Sequence, residues 1–229
     1  MRRRLLLAAV VALTGACARA AEPPDTIGQR MQPCMACHGP EGRATAQGYF
    51  PRIAGKPAGY LFNQLVAFRD GRRSNATMAY FVDLMSDDYL HEIARYFAQL
   101  DVPHAPPRPA TATPAQLARG EALVRHGDRA LDVPACEQCH GAALTGALPA
   151  IPGVIGLQRE YLQLQFGSWR VGVRRALPPD CMSQIVMRLS PQDLNDIAAW
   201  LSSQPVPRDS APAAQLTRPL PLQCGSDPP

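Results

Sequence analysis

The sequence lacks what a membrane-spanning chain, a sheet protein or a nucleic-acid binder would need. Apart from residues 5–13, no stretch comes near the run of about 20 apolar residues that crosses a bilayer. No segment convincingly alternates apolar and polar side chains, so no half-buried strand is expected, and the βαβ order of an α/β fold is missing. Basic residues do not gather into the clustered face that a nucleic acid would demand. The net charge of +4 belongs largely to the N-terminus. Arg2, Arg3 and Arg4 precede the apolar residues 5–13, and Ala18-Arg19-Ala20 resembles an A-x-A cleavage site, so residues 1–20 read as a secretory signal peptide. Four of the 23 basic residues leave with it, and the remaining 19 balance 19 acidic ones. The mature chain is therefore expected to be neutral, exported and soluble. One alternative stays open: Cys17 as a lipidated first residue would tie the protein to a membrane, although Thr14 stands where a leucine is expected and Leu13 lies one place early.

Against these absences stand two copies of one motif, Cys34-Met35-Ala36-Cys37-His38 and, 102 positions later, Cys136-Glu137-Gln138-Cys139-His140. C-x-x-C-H is the attachment signature of c-type haem: two thiols each form a thioether with a vinyl group, and the adjacent imidazole reaches the iron. Two readings compete. A thioredoxin-type dithiol needs a strand before it, and none is visible. A four-thiolate zinc site would leave His38 and His140 without a role. The expectation is two covalently bound haem c groups on Cys34, Cys37, Cys136 and Cys139, with His38 and His140 as axial ligands. Of seven cysteines, Cys17 lies in the signal and four in the motifs, leaving Cys181 and Cys224. In an oxidising compartment these are expected to form a disulfide.

The chain is internally duplicated. Tyr60-Leu61-Phe62-Asn63-Gln64-Leu65 matches Tyr161-Leu162-Gln163-Leu164-Gln165-Phe166 at an offset of 101, and Phe68-Arg69-Asp70-Gly71 matches Trp169-Arg170-Val171-Gly172. The expected organisation is all-α: domain 1 at residues 21–102, a proline-rich linker at 103–113, domain 2 at 114–204 and a proline-rich tail at 205–229, the linker extended in polyproline fashion. Helices are expected over residues 26–34 and 114–126 before the motifs, over 57–71 and 159–172 in the middle, and after Ser86 and Ser190. There, serine caps, acidic first turns and i, i+3, i+4, i+7 apolar spacing coincide. Most of those apolar residues, with Tyr96 and Trp200, read as core.

A haem that only passes electrons has both axial positions filled, and methionine opposite histidine raises its potential. Met78-x-x-x-Val82 aligns with Met182-x-x-x-Val186, 40 and 42 residues after His38 and His140, so Met78 and Met182 are the expected sixth ligands. Met31 and Met35 lie too near the proximal histidine in sequence; Met85 and Met187 read as core or helix surface. His91, His104 and His126 read as ordinary exposed or capping side chains. Arg72, Arg73, Arg174 and Arg175 are candidates for docking acidic partners.

With these residues in hand, the chain resembles a dihaem cytochrome c of the cytochrome c4 family, two class I cytochrome c domains in tandem, over residues 26–204. Pro51-Arg52-Ile53-Ala54-Gly55 and Pro149-Ala150-Ile151-Pro152-Gly153 stand where that family has a loop near the proximal histidine; Pro51 and Pro149 either pack there or only shape a turn. The Cys181/Cys224 pair and the long tail depart from the family pattern. The resemblance implies a periplasmic carrier, not an enzyme. It would pass single electrons between redox protein partners: a quinol-oxidising complex or dehydrogenase on one side, a terminal oxidase or reductase on the other. Two other classes remain: a cytochrome subunit of a membrane-bound dehydrogenase, and a small dihaem peroxidase, which would need one iron open to peroxide.

Overall fold

The computed structural model describes residues 24–109 and 111–226, so the signal-peptide and Cys17 readings fall outside the described residues. Ten α-helices and one two-stranded hairpin are found there. The first half holds α1 (Ile27–Arg30), α2 (Gln32–His38), α3 (Ala58–Arg69), α4 (Ala76–Val82) and α5 (Asp87–Ala98). The second holds α6 (Pro114–His126), α7 (Cys136–His140), β1 (Gly146–Ala147), β2 (Ile151–Pro152), α8 (Arg159–Arg170), α9 (Cys181–Arg188) and α10 (Pro191–Ser203). Each half has its own core. One gathers Met31, Leu61, Phe68, Val82, Leu90, Ile93 and Phe97; the other gathers Leu123, Val124, Leu162, Phe166, Val186, Ile197 and Trp200.

The serine caps form as the sequence implies: Ser86 accepts from Tyr89 N, and Ser190 accepts from Asp193 N while the Asp193 carboxylate returns the bond. Thr113 and Gln116 build a second reciprocal cap on α6, with Pro114 at the first turn. The helix expected over 26–34 breaks at Met31, where Pro33 restarts the backbone as α2 and carries it through the whole C-x-x-C-H motif. Residues 99–109 form neither helix nor strand. The linker is pinned at both ends, since Arg52 donates to the carbonyls of Val102 and Pro103, and Arg159 to that of Thr111.

The tightest helix contact in domain 2 is α6 against α10. A Cβ added to Gly120 would stand 2.2 Å from the Asp196 carbonyl oxygen and 3.0 Å from Trp200 Cβ, so only glycine permits this approach. Gly120→Ala must force the helices apart, and overpacking of this kind costs about 1–3 kcal/mol. Urea unfolding should show that loss at unchanged m value; a variant of wild-type stability would mean that the crossing can slide.

Candidate cofactor sites

Both motif helices end on their histidine. His38 Nδ1 lies 2.9 Å from the Pro51 carbonyl oxygen, and His140 Nδ1 lies 2.8 Å from that of Pro152. A carbonyl can only accept, so each Nδ1 carries the proton and each Nε2 presents its lone pair. Burial lowers the proton affinity of both rings, more than the carbonyl bonds restore, so they stay neutral. Pro51 is the loop proline of the first half, but its counterpart is Pro152 rather than Pro149. The Pro149 carbonyl instead accepts from Gly59 N, across the domains, at 3.2 Å.

In domain 2 one cavity brings together Cys136, Cys139, His140 and Met182, walled by apolar side chains such as Ile151 and Phe166. Met182 is the second residue of α9, whose first turn is fixed by Asp180 accepting from Ser183 N at 3.0 Å. The residue before it, Cys181, is bridged to Cys224 with a Cα–Cα distance of 5.2 Å. This closes a loop of sequence separation 43, for which the chain-entropy account gives about 4 kcal/mol. The expected disulfide is thus present, and Asn63 of α3 donates to the Ser226 carbonyl at 2.8 Å, so the tail also touches domain 1. In domain 1, Met78 follows the Asn75 cap of α4 and packs on the same core as Cys34. Met31 is core and Met187 is 57% exposed. Burial pushes the Cys136 thiol up to about 12 and raises that of Cys34, the opposite of an activated thiolate. Among the described residues, no group of three or more His, Cys, Asp or Glu side chains is arranged to hold a metal ion.

The two halves meet through a network with near-twofold symmetry. Arg73 donates to Gln64 of its own domain (2.9 Å) and to Tyr161 (3.2 Å) and Gln165 (2.9 Å) of the other. Arg174 mirrors it, donating to Gln165 (2.8 Å), Tyr60 (3.4 Å) and Gln64 (3.1 Å). Each guanidinium lies over its own domain's aromatic ring, Arg73 4.6 Å from Phe68 and Arg174 3.8 Å from Trp169. Backbone bonds from Ser74 N to Val173 O and from Arg175 N to Arg72 O close the seam. The docking role expected of Arg73 and Arg174 is therefore corrected: Arg174 is 7% exposed, and both side chains are spent on the domain interface.

No family model matches the chain. It is 35% identical over 216 residues to the thiosulfate dehydrogenase electron acceptor of Thiomonas intermedia, a match spanning 93% of this chain and 96% of that one. It is 33% identical over 170 residues to cytochrome c4 of Pseudomonas aeruginosa, covering 73% and 82%. The chain belongs to the dihaem cytochrome c4 family. Among solved structures, cytochrome c4 from Pseudomonas stutzeri superposes with TM-score 0.66 at 28% identity, over 76% of this chain and 95% of that one. The thiosulfate dehydrogenase (TsdBA) from Marichromatium purpuratum gives TM-score 0.67 at 29% identity, over 76% of this chain and 36% of that one. The fold is thus the all-α tandem cytochrome c fold, and the molecule is a dihaem electron-transfer cytochrome.

The residues present suit covalent haem c. Besides thiol pair, imidazole and thioether, the interface carries buried cations that lack acids: none of the ion pairs among the described residues involves Arg73, Arg174 or Lys56. Against the upward push of burial, Arg174 and Arg73 hold the Tyr60 phenol below its ordinary value. Such an uncompensated positive seam fits a group bearing carboxylates. The histidines outside the motifs differ from the ordinary exposed reading in two cases. His91 stacks on Phe62 with ring centres 3.6 Å apart. His104 sits in a crevice with Arg52 and Lys56, where burial first and those cations second push it down to about 4.

Proposed function

We propose that this cytochrome is the exported, periplasmic electron acceptor of a thiosulfate-oxidising dehydrogenase, a carrier that is not itself an enzyme and passes single electrons onward to a respiratory oxidase or reductase. Haem c, bound through Cys34, Cys37, Cys136 and Cys139, supplies the one-electron Fe(III)/Fe(II) couple. The chain does the rest. The Pro51 and Pro152 carbonyls hold His38 and His140 in the tautomer with the proton on Nδ1, and burial keeps both rings neutral. Met78 and Met182 would serve as the second protein ligands of the two irons, which would keep small molecules off the metal and favour the reduced state. The seam of Arg73, Arg174, Tyr60 and Tyr161 locks the two sites into one orientation, so an electron accepted in one domain can be delivered from the other.

The observation that carries this reading is the extent of the Thiomonas intermedia match. With 93% of this chain aligned, too few residues are left over to omit the 25-residue tail, whereas the Pseudomonas aeruginosa cytochrome c4 match leaves about a quarter of the chain out. The likeness to TsdBA, a thiosulfate dehydrogenase, supports the same partner. It also favours the cytochrome-subunit alternative over the peroxidase, since a carrier and a subunit differ only in how long they stay bound. Mixing the oxidised protein with thiosulfate and a catalytic amount of a thiosulfate dehydrogenase should reduce both haems at a rate proportional to the enzyme added and far above that with thiosulfate alone. Reduction no faster than with thiosulfate alone would sink the assignment of the donor.

A further inference from the structure

The near-twofold symmetry of the interface is broken by one buried charge. Tyr60, Gln64 and Arg73 recur as Tyr161, Gln165 and Arg174 at an offset of 101, but at that same offset Lys56 meets Leu157. Lys56 is the only lysine in the sequence and is 9% exposed. Although it belongs to domain 1, its ammonium points into domain 2. Nζ donates to the Gly153 carbonyl at 3.0 Å, one residue beyond the Pro152 carbonyl that holds His140. Lys56 lines the cavity that contains Cys136, Cys139, His140 and Met182. Its charge also reaches the His140 ring, adding to the burial that lowers the basicity of that imidazole; for His38 the corresponding cation is Arg73. Burial brings the ammonium down to about 8, so it still holds its proton at neutral pH. The remaining charged groups near it, Arg52 and Arg174, are also cations.

We propose that Lys56 is a cross-domain tuning residue, a fixed positive charge from domain 1 that raises the electron affinity of the domain 2 haem. Reduction adds one electron to the iron and lowers its net charge by one, so a neighbouring cation favours the reduced form. As a general scale, a unit charge about 10 Å from a redox centre at an effective dielectric constant of about 20 shifts a one-electron equilibrium roughly tenfold. The mirror position of Lys56 is Leu157, and the cation that reaches His38, Arg73, belongs to domain 1 itself. Only in domain 2 is that charge supplied from across the interface, so loss of Lys56 alone moves an electron away from domain 2. This inference rests on the haem reading of the two C-x-x-C-H motifs but not on the identity of the donor, and loss of the thiosulfate assignment would leave both midpoints where they are.

The test is a potentiometric titration of the purified holoprotein, with the two haems resolved by their paramagnetic resonance signals. Lys56→Gln, and Lys56→Met as a second neutral side chain of similar length, should each shift the electron distribution about tenfold toward domain 1, equivalent to about 59 mV for a one-electron couple. The domain 1 midpoint should stay nearly fixed, and Lys56→Arg should keep the wild-type separation. Equal movement of both midpoints, no movement, or a Lys56→Arg protein that behaves like Lys56→Gln would overturn the proposal, the last by showing that the fit of the lysine matters and its charge does not. Retention of the near-infrared methionine band in each variant separates charge loss from ligand loss.

Discussion

Met182→Ala is expected to remove about half of the near-infrared methionine-to-iron absorption of the oxidised protein and to let carbon monoxide bind one iron per molecule after reduction. The expectation follows from how few side chains can take the place of this thioether. Met182 shares a cavity with Cys136, Cys139 and His140. Its helix is held in register at the first turn by the Asp180 cap and by the disulfide on Cys181. Met187, five residues on, is 57% exposed. Neither His91, stacked on Phe62, nor His104, in its crevice beside Arg52, lines that cavity. With the axial position empty, the potential of that haem should fall, because methionine opposite histidine is what holds it up. Truncation should also lower stability, by less than the roughly 2–5 kcal/mol of a fully buried methionine, since Met182 is partly buried. Met187→Ala is the matched control and should leave band, potential and stability within error. A full band in Met182→Ala would show that another methionine ligates that iron, whereas carbon monoxide binding by the unsubstituted reduced protein would return the peroxidase class to consideration.

Most of what makes this molecule a cytochrome was legible in the residues themselves. C-x-x-C-H needs no tertiary context, because thiols and imidazole lie within one helical stretch, and duplication of the motif announced two domains. The helices after Ser86 and Ser190 were readable because capping, first-turn acids and apolar periodicity are all local signals. What escaped depends on partners distant in sequence. Arg73 and Arg174 looked like solvated or docking cations, since hydropathy places arginine outside. A sign was nonetheless present: Tyr60, Gln64 and Arg73 recur with one common offset, and polar residues repeated in register across a duplication mark a surface that both halves use against each other. The same offset distinguishes Pro152 from Pro149 as the partner of Pro51, a choice left ambiguous by two prolines three positions apart. Helices α4 and α9 are short, and their seven or eight residues carry too little periodicity to stand out from the loops around them. His104 escaped the sequence because the crevice that holds it and the cations that act on it, Arg52 and Lys56, lie about 50 residues away and are brought near only by the folded linker.

Removing both interface arginines should loosen the two domains by more than the single substitutions add up to. In Arg174→Ala, Gln64 still accepts from Arg73, and Gln165 keeps its bond to Arg73 as well, so no shared acceptor is stranded. In the double variant both amide oxygens lose every guanidinium donor, and an unsatisfied buried acceptor costs about 1–3 kcal/mol. Like charge acts in the same direction. With no carboxylate paired to either guanidinium among the described residues, the first alanine relieves repulsion that the second cannot relieve again. The coupling in a double-mutant cycle should therefore be positive, within the 0.5–3 kcal/mol range of contacting pairs. Unfolding of the double variant should split into two transitions, one per core, and its radius of gyration by X-ray scattering should rise. Each haem should keep its methionine band, because Met78 and Met182 stand outside the network. Surface arginines would behave otherwise, changing stability by no more than about 0.5 kcal/mol, with strict additivity. Electron equilibration between the domains gives the functional reading of the same experiment. If Arg73 and Arg174 fix the relative orientation of the two sites, flash-induced equilibration should slow in the double variant by more than the midpoint shifts from the two lost charges account for.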